Sequence, residues 1–486
     1  MKTDLFPSGF RWGAASSAFQ IEGGSEPRER GESIWDEFCR RAGAIRGGAD
    51  GRTACDHFRR FGDDVRMMRH IGLRAYRLSI SWPRVIPAGV GTPNDAGLDF
   101  YDRLIDALLA ARIEPWVTLY HWDLPLTLQR RGGWLNRDSA QWLADFADCV
   151  TRRLSDRVAH WITINEPQVF LSLGLGEGTH APGLRLPLSE QLLAAHHSLL
   201  GHGLSVRAIR AASRGPCAVG WAPAARVEFP DREMPADIEA AGAAMFSIEA
   251  PNLWSNTWFA DPVCLGRYPA DGLRLFGPDL PRFDVADLET IRQPLDFFGV
   301  NIYSGAGVRA DPDGRPVRVS APPGHARNTL HWPVAPEALR WGPRFLWERY
   351  KLPIVIAENG VSNLDWVALD GGVHDPQRID YTHRHLLQLA RAVADGVDLR
   401  AYFHWSILDN FEWAEGYEER FGLVHVDYST QKRTLKDSAL WYRTVIQTQG
   451  ASLISAALAS GTLEQEALQL ANDPLRESRA PAAFSG

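Results

Sequence analysis

The chain has 486 residues, of which 45% are apolar and 23% charged, the usual mixture of a soluble globular protein with room for a large core. Its net charge of −7 and the lack of any long basic run exclude a nucleic-acid-binding surface. No stretch of about 18 apolar residues is present, which excludes a helical membrane span, and the opening MKTDLFPSGFRWG has no apolar core of a signal peptide. Cys39, Cys55, Cys149, Cys217 and Cys264 are scattered, odd in number and without CxxC spacing. They read as reduced thiols and place the protein in the cytoplasm.

In chain order, apolar runs that end near polar residues predict strands at 11–19, 75–82, 114–122, 160–167, 217–224, 296–304, 353–359 and 399–408. Helix-period segments at 57–71, 97–112, 138–156, 188–212, 335–350 and 378–396 lie between them, and another at 431–447 follows the last strand. Strands alternating with helices imply parallel pairing, and eight such units imply a closed (β/α)8 TIM barrel. An open doubly wound sheet would carry a Gly-rich first turn, which WGAASSAFQIEGG does not fit. Gly/Pro-rich or irregular stretches at 40–55, 170–187, 225–270, 305–334 and 409–430 read as long loops, most of them at the C-terminal face of the strands. No internal repeat or composition break marks a second domain, so residues 1–450 read as one barrel. The Ala/Ser-rich remainder, 451–486, reads as an extension with one more helix at 455–471 and no assigned function.

The strand ends carry the chemistry. Gln20 and Glu22 follow the first strand and Arg77 lies in the second. His121 and Trp122 end the third, and Asn165 and Glu166 end the fourth. Asn301 and Tyr303 come with the sixth, Glu358 and Asn359 with the seventh, and Trp405, Glu412 and Trp413 with the eighth. HWITINEP (160–167) and LPIVIAENG (352–360) are two apolar runs that each end in a glutamate beside an asparagine. Paired carboxylates at one barrel mouth suit cleavage of a glycosidic bond, which needs one protonated acid and one ionised group. A nearby negative partner would raise the Glu166 pKa, while Arg77 and the Tyr303 hydroxyl could hold Glu358 as an anion. Each residue also has a plainer reading. A strand-end Glu can cap a loop or pair with an Arg, Asn165 and Gln20 can be loop amides, and His121 beside a Trp can be a packing residue. The 18 Trp divide in the same way, between core packing and indole faces that stack on sugar C–H faces.

The motifs SIWDEF, ACDHF, YRLSISWPRVIP, YHWDLP, GGWLN, WITINEP, HAPG, DFFGVNIYS, IAENG, YFHWSILDNFEW and RFGLVHVDY, in this order from residue 10 to residue 446, resemble the glycoside hydrolase family 1 β-glucosidases. The resemblance implies a (β/α)8 barrel, no metal, no organic cofactor and a retaining mechanism, with the two carboxyl groups about 5 Å apart. It implies Glu166 as general acid/base and Glu358 as nucleophile. It further implies that Gln20, His121, Trp122, Asn165, Glu412, Trp413 and Phe421 bind the sugar, with Trp405 as the platform beneath it, and that Asn301, Tyr303 and Arg77 surround the nucleophile. The implied partner is a small-molecule β-glycoside, such as one released in cellulose degradation, and a homo-oligomer is compatible with the pattern. Ala357 stands where the family mostly has Thr. Glu412 would repel a phosphate, which favours a neutral sugar over a 6-phosphorylated one. Segment 221–257 fits the family pattern less well and borders the leaving-group region.

Other chemistries lack their motifs. There is no H-E-x-x-H, no G-x-S-x-G and no Walker A sequence. His196, His197, His202, His383 and His385 fall in helical stretches and read as surface or packing residues. GLGEG (174–178) lacks a strand–helix context, and EPRERGE (26–32) reads as a solvated loop. A transglycosylase, a 6-phospho-β-glycosidase and a sugar-binding barrel without catalysis remain as alternatives.

Overall fold

A computed structural model describes residues 5–26 and 28–454. The barrel strands are β1 (Arg11–Ala15), β2 (Ala75–Ser79), β3 (Glu114–Tyr120), β4 (His160–Asn165), β5 (Ala218–Ala222), β6 (Phe298–Asn301), β7 (Ile354–Asn359) and β8 (Leu399–Trp405). They pair in parallel in the spatial order β5-β4-β3-β2-β1-β8-β7-β6. The ring closes between β5 and β6, where Asp296 N donates to Val219 O at 2.9 Å and Asn301 N to Pro223 O at 3.0 Å. This is the (β/α)8 TIM barrel that the alternation implies.

All six residues of β7 are buried, as expected for a strand covered on both faces. The interior is plugged by side chains rather than open. Ala15, Ala75, Trp116, Ile162, Phe297, Val355, Ala401 and Phe403 form one buried cluster, capped by Trp405 and Phe421. Trp116 meets both Phe297 and Phe403 with ring centroids 5.3 Å apart. The helices α1 (His57–Ile71), α2 (Asp95–Ala110), α3 (Ser139–Leu154), α4 (Leu188–Ala212), α5 (Ala338–Tyr350), α6 (Pro376–Ala394) and α7 (Asp437–Gln447) surround this ring. α1 stops where Gly72 adopts φ 83°, a left-handed end that glycine accepts without strain.

The strands are shorter than the apolar runs suggest. β1 ends at Ala15, and Gln20 sits instead on a single helical turn, Ala18–Ile21. β2 ends at Ser79, and Trp82 opens another short turn, Trp82–Val85. Apolar residues continue past the strands because these turns pack inward. Three segments read as loops hold regular structure. The strands Val227–Pro230, Gly305–Ala310 and Pro316–Val319 form a small sheet beside the barrel mouth, and the helices Pro235–Phe246 and Thr257–Leu265 lie within 225–270. Val424–Asp427 pairs antiparallel with Lys432–Leu435, so α7 begins at Asp437 rather than at 431. EPRERGE is not a free solvated loop, since Arg30 is buried and its guanidinium holds Asp36 at 2.6 and 2.7 Å. GLGEG falls in a wide helical turn, Ser172–Glu177. His196, His197, His202 and His385 are buried packing residues on α4 and α6. Residues 451–454 are helical, and the rest of the expected 455–471 helix lies outside the described residues.

Candidate active site

Each glutamate is delivered by its strand in a different way. Glu358 is the fifth residue of β7 and keeps strand geometry. Glu166 lies one residue past β4, with φ 46°, at the head of the short helix Pro167–Leu171. A left-handed non-glycine residue costs about 1–3 kcal/mol and survives only where its surroundings fix it. Here Pro167 starts the helix and Glu166 N donates to Ala222 O at 2.8 Å. Gly360, after Glu358 and Asn359, cannot be larger, because a Cβ there would lie 1.9 Å from Trp405 O.

Arg77 organises the floor. Its Nη1 donates to Glu358 Oε1 at 2.5 Å and to Ala357 O at 3.1 Å, its Nη2 to Asn165 Oδ1 at 2.6 Å, and its Nε to Thr118 Oγ1 at 3.1 Å. Tyr303 Oη donates to Glu358 Oε2 at 2.7 Å. Asn301 Nδ2 donates to Glu166 Oε1 at 2.9 Å and to Asn165 Oδ1 at 3.0 Å.

The electrostatics separate the two acids. Burial pushes the Glu166 carboxyl up to about 8, and the charge of Glu358 adds to the rise. Burial raises Glu358 as well, but the Arg77 charge and the Tyr303 and Arg77 hydrogen bonds oppose it directly. Of the pair, Glu166 is therefore the one that retains a proton. Glu412 is also pushed up to about 8, by burial first and then by the charges of Glu358 and Glu166. His121 is held well below the usual histidine range by burial and by Arg77. A neutral ring accepting at Nε2 from Asn165 Nδ2, 3.1 Å away, carries its hydrogen on Nδ1, which has no partner among the described residues.

Glu166 and Glu358 face one cavity of about 600 Å³. His121, Trp122, Asn301, Tyr303, Trp405, Glu412, Trp413 and Phe421 also line it. Gln20, Asn165 and Arg77 stand behind that wall. Gln20 Nε2 donates to Asn410 Oδ1 and Phe411 O, each at 2.9 Å, and so supports the Glu412 loop from below. Trp122 Nε1 donates to Asn165 O at 3.0 Å. Trp122 packs on Trp413 with ring centroids 4.6 Å apart, and Trp405 stacks on His121 at 5.8 Å. The loop bearing Glu412, Trp413 and Phe421 rests on a buried ionic network, in which Lys436 Nζ reaches Asp409 at 2.6 Å and Asp365 at 2.5 Å and Arg420 reaches Asp409 at 2.7 Å. Among the described residues, no group of three or more His, Cys, Asp or Glu is placed to hold a metal ion.

The sequence reading did not assign several wall residues, namely His180, Trp254, Leu330 and Trp332. His180 was within reach as the first residue of HAPG. Trp332 and Trp254 come from segments without strand periodicity, and only their aromatic character beside polar residues signalled them.

A barrel with one protonated and one cation-paired carboxylate sharing a cavity mouth defines the class of enzymes that cleave O-glycosidic bonds. Comparison with known proteins agrees. The model of glycosyl hydrolase family 1 matches residues 2–451. A 1,4-β-D-glucan glucohydrolase of Thermotoga neapolitana is 43% identical over 447 residues, covering 92% of this chain and 99% of the relative. A bifunctional β-D-glucosidase/β-D-fucosidase of Bifidobacterium breve is 40% identical, covering 92% of this chain and all of that protein. The β-glucosidase of Thermotoga maritima in complex with glucoimidazole superposes with a TM-score of 0.83 at 41% identity, over 92% of this chain and 99% of that one. The chain belongs to glycosyl hydrolase family 1 and is a β-glycosidase of that family. Among the described residues, no helix is long and apolar enough to cross a membrane.

Proposed function

We propose that the protein is a retaining β-glucosidase that removes terminal non-reducing β-D-glucosyl residues from oligosaccharides and aryl or alkyl glycosides, with β-D-galactosyl and β-D-fucosyl units as further substrates. One observation carries the reading: Glu358 is held by Arg77 and Tyr303, while Glu166, on the same cavity, keeps its proton up to about 8. The names of the relatives, a glucan glucohydrolase and a glucosidase/fucosidase, support the choice of sugars. Membership of glycosyl hydrolase family 1 supports retention, in which the two carboxyls act on opposite faces of one anomeric carbon.

In the proposed cycle Glu358 attacks the anomeric carbon from one face. The bond to the leaving oxygen breaks as Glu166 gives that oxygen its proton, and a glycosyl ester forms on Glu358. Glu166, now ionised, takes a proton from water as the water attacks the same carbon, and the ester bond breaks to free Glu358. His121 Nδ1–H and Glu412 meet sugar hydroxyls, and Trp405 lies under the ring. Trp122, Trp413 and Phe421 shape the pocket, Gln20 positions Glu412, and Asn165 has one amide hydrogen left for a hydroxyl. Asn301 steadies Glu166. The catalytic domain is residues 1–450, with 451–486 outside it. The unpaired cysteines favour a cytoplasmic setting.

Initial rates on matched p-nitrophenyl β-glucoside, β-galactoside, β-fucoside and 6-phospho-β-glucoside test the reading. Release from the neutral sugars is expected. Release from the phosphorylated sugar alone would overturn the assignment of Glu412. An added alcohol acceptor separates hydrolysis from transglycosylation by its products.

A further inference from the structure

The bond from Tyr303 Oη to Glu358 Oε2 joins residues of two different strand ends. Tyr303 lies two residues past the end of β6, and the β6–β7 ladder shifts register between Ile356 and Glu358. One backbone bond, from Ile302 N to Glu358 O at 3.0 Å, links the two segments there. Regular strand pairing therefore does not fix Tyr303 against Glu358. We propose that Tyr381, a buried residue of α6, is the positioning residue that does so. The proposal rests on the β-glucosidase reading above, in which Glu358 is the nucleophile.

Successive side chains of a strand point to opposite faces. Glu358 faces the cavity, so Asn359 turns outward toward α6. There Asn359 Nδ2 donates to Ile302 O at 2.8 Å and to Tyr381 Oη at 3.2 Å, and Tyr402 Oη donates to Asn359 Oδ1 at 2.9 Å. Tyr381 Oη uses its own hydrogen on Tyr303 O at 2.7 Å. One hydroxyl thus ties the residue after the nucleophile to the backbone of the residue that hydrogen-bonds the nucleophile. The ring that carries it is held in turn. Tyr381 is 4% exposed and stacks on His385 with ring centroids 3.7 Å apart. Arg77, Glu166 and Glu412 are the charged or titratable groups around Glu358, and Tyr381 hydrogen-bonds none of them. Its influence on the nucleophile therefore passes through Tyr303. A buried tyrosine also needs a partner for its hydroxyl wherever it stands, so the test must separate positioning from plain packing.

The test measures kcat, KM and the pH profile of kcat/KM on p-nitrophenyl β-glucoside for the wild type, Tyr381→Phe, Tyr303→Phe and the double variant. Tyr381→Phe keeps the ring and removes only the hydroxyl. It should lower kcat by roughly ten- to a hundredfold, the scale of a misplacement of about 1 Å, with KM little changed. The acid limb should move to higher pH, because Glu358 loses part of a bond that favours its charged form. In the Tyr303→Phe background the same change should cost nothing further, since the bond it positions is already gone. A wild-type kcat and acid limb in Tyr381→Phe, or losses that multiply in the double variant, would overturn the proposal. Should Tyr381→Phe fail to fold, Tyr303→Phe alone carries the test. Its acid limb should move upward, and an unmoved limb would leave Tyr381 nothing to position. A wild type that releases no p-nitrophenol would instead overturn the reading on which the proposal rests.

Discussion

Arg77 sets the proposed division of labour between the two glutamates, because it reaches Glu358 Oε1 at 2.5 Å while Glu166, among the described residues, receives the neutral Asn301 amide. The charge of Glu358 is in turn one of the two causes that raise Glu166 to about 8. Neutralising it in Glu358→Gln should therefore lower the Glu166 pKa, as read by carbon-13 NMR of labelled glutamate carboxyls. An unchanged value would mean that burial alone holds the proton. In the active enzyme the same arrangement gives a bell-shaped pH profile. Activity appears as Glu358 ionises and fades near pH 8 as Glu166 loses its proton. The identities of these residues were legible in NEP and ENG before any fold was known. Their environments were not, since the contacts Arg77–Glu358 and Asn301–Glu166 join residues 281 and 135 positions apart.

The strand–turn junctions carry the site at the scale of elements. β7, the Gly360 turn and the end of β8 are locked together by the approach of Gly360 to Trp405 O. Gly360→Ala should displace Glu358 and the Trp405 platform together. A stability loss of about 2 kcal/mol or more is expected, at the upper end of overpacking costs, with a large fall in kcat. Thermal melting and steady-state kinetics check this, and a variant of normal Tm and kcat would show that the turn relaxes freely. Periodicity located all eight barrel strands, and it gave α1 and α4 at their observed limits. It overran the ends of β1 and β2 because buried apolar residues continue into short helical turns there, and apolar runs do not distinguish a strand end from an inward-facing turn. It missed the small sheet of Val227–Pro230, Gly305–Ala310 and Pro316–Val319, whose strands are short and joined across about 75 residues of chain.

The ends of the matched region meet at the barrel's base, where Trp12 Nε1 donates to Gln449 Oε1 at 2.9 Å and Tyr442 Oη to Gly13 O at 2.9 Å. The family match stops at residue 451. Removing residues 455–486 should therefore leave Tm and kcat/KM at their full-length values, and loss of either would assign the extension a part in the barrel. The buried acids also shape stability. Glu412, raised to about 8 in the folded state, binds more protons folded than unfolded between its ordinary range near 4.5 and that value. Its contribution is complete below about pH 4.5 and is lost as pH rises through 8. Glu412→Gln should thus gain on the wild type in Tm as pH climbs across that window. A difference independent of pH would contradict the raised value.

The central claim is that Glu358 bonds covalently to the sugar. A 2-deoxy-2-fluoro-β-glucoside with a dinitrophenol leaving group tests it, because the fluorine slows hydrolysis of the ester and the leaving group speeds its formation. Mass spectrometry of the intact protein should show one added fluoroglucosyl unit, and digestion should place it on the peptide containing Glu358. A label on Glu166, or rapid turnover with no label at all, would contradict the account.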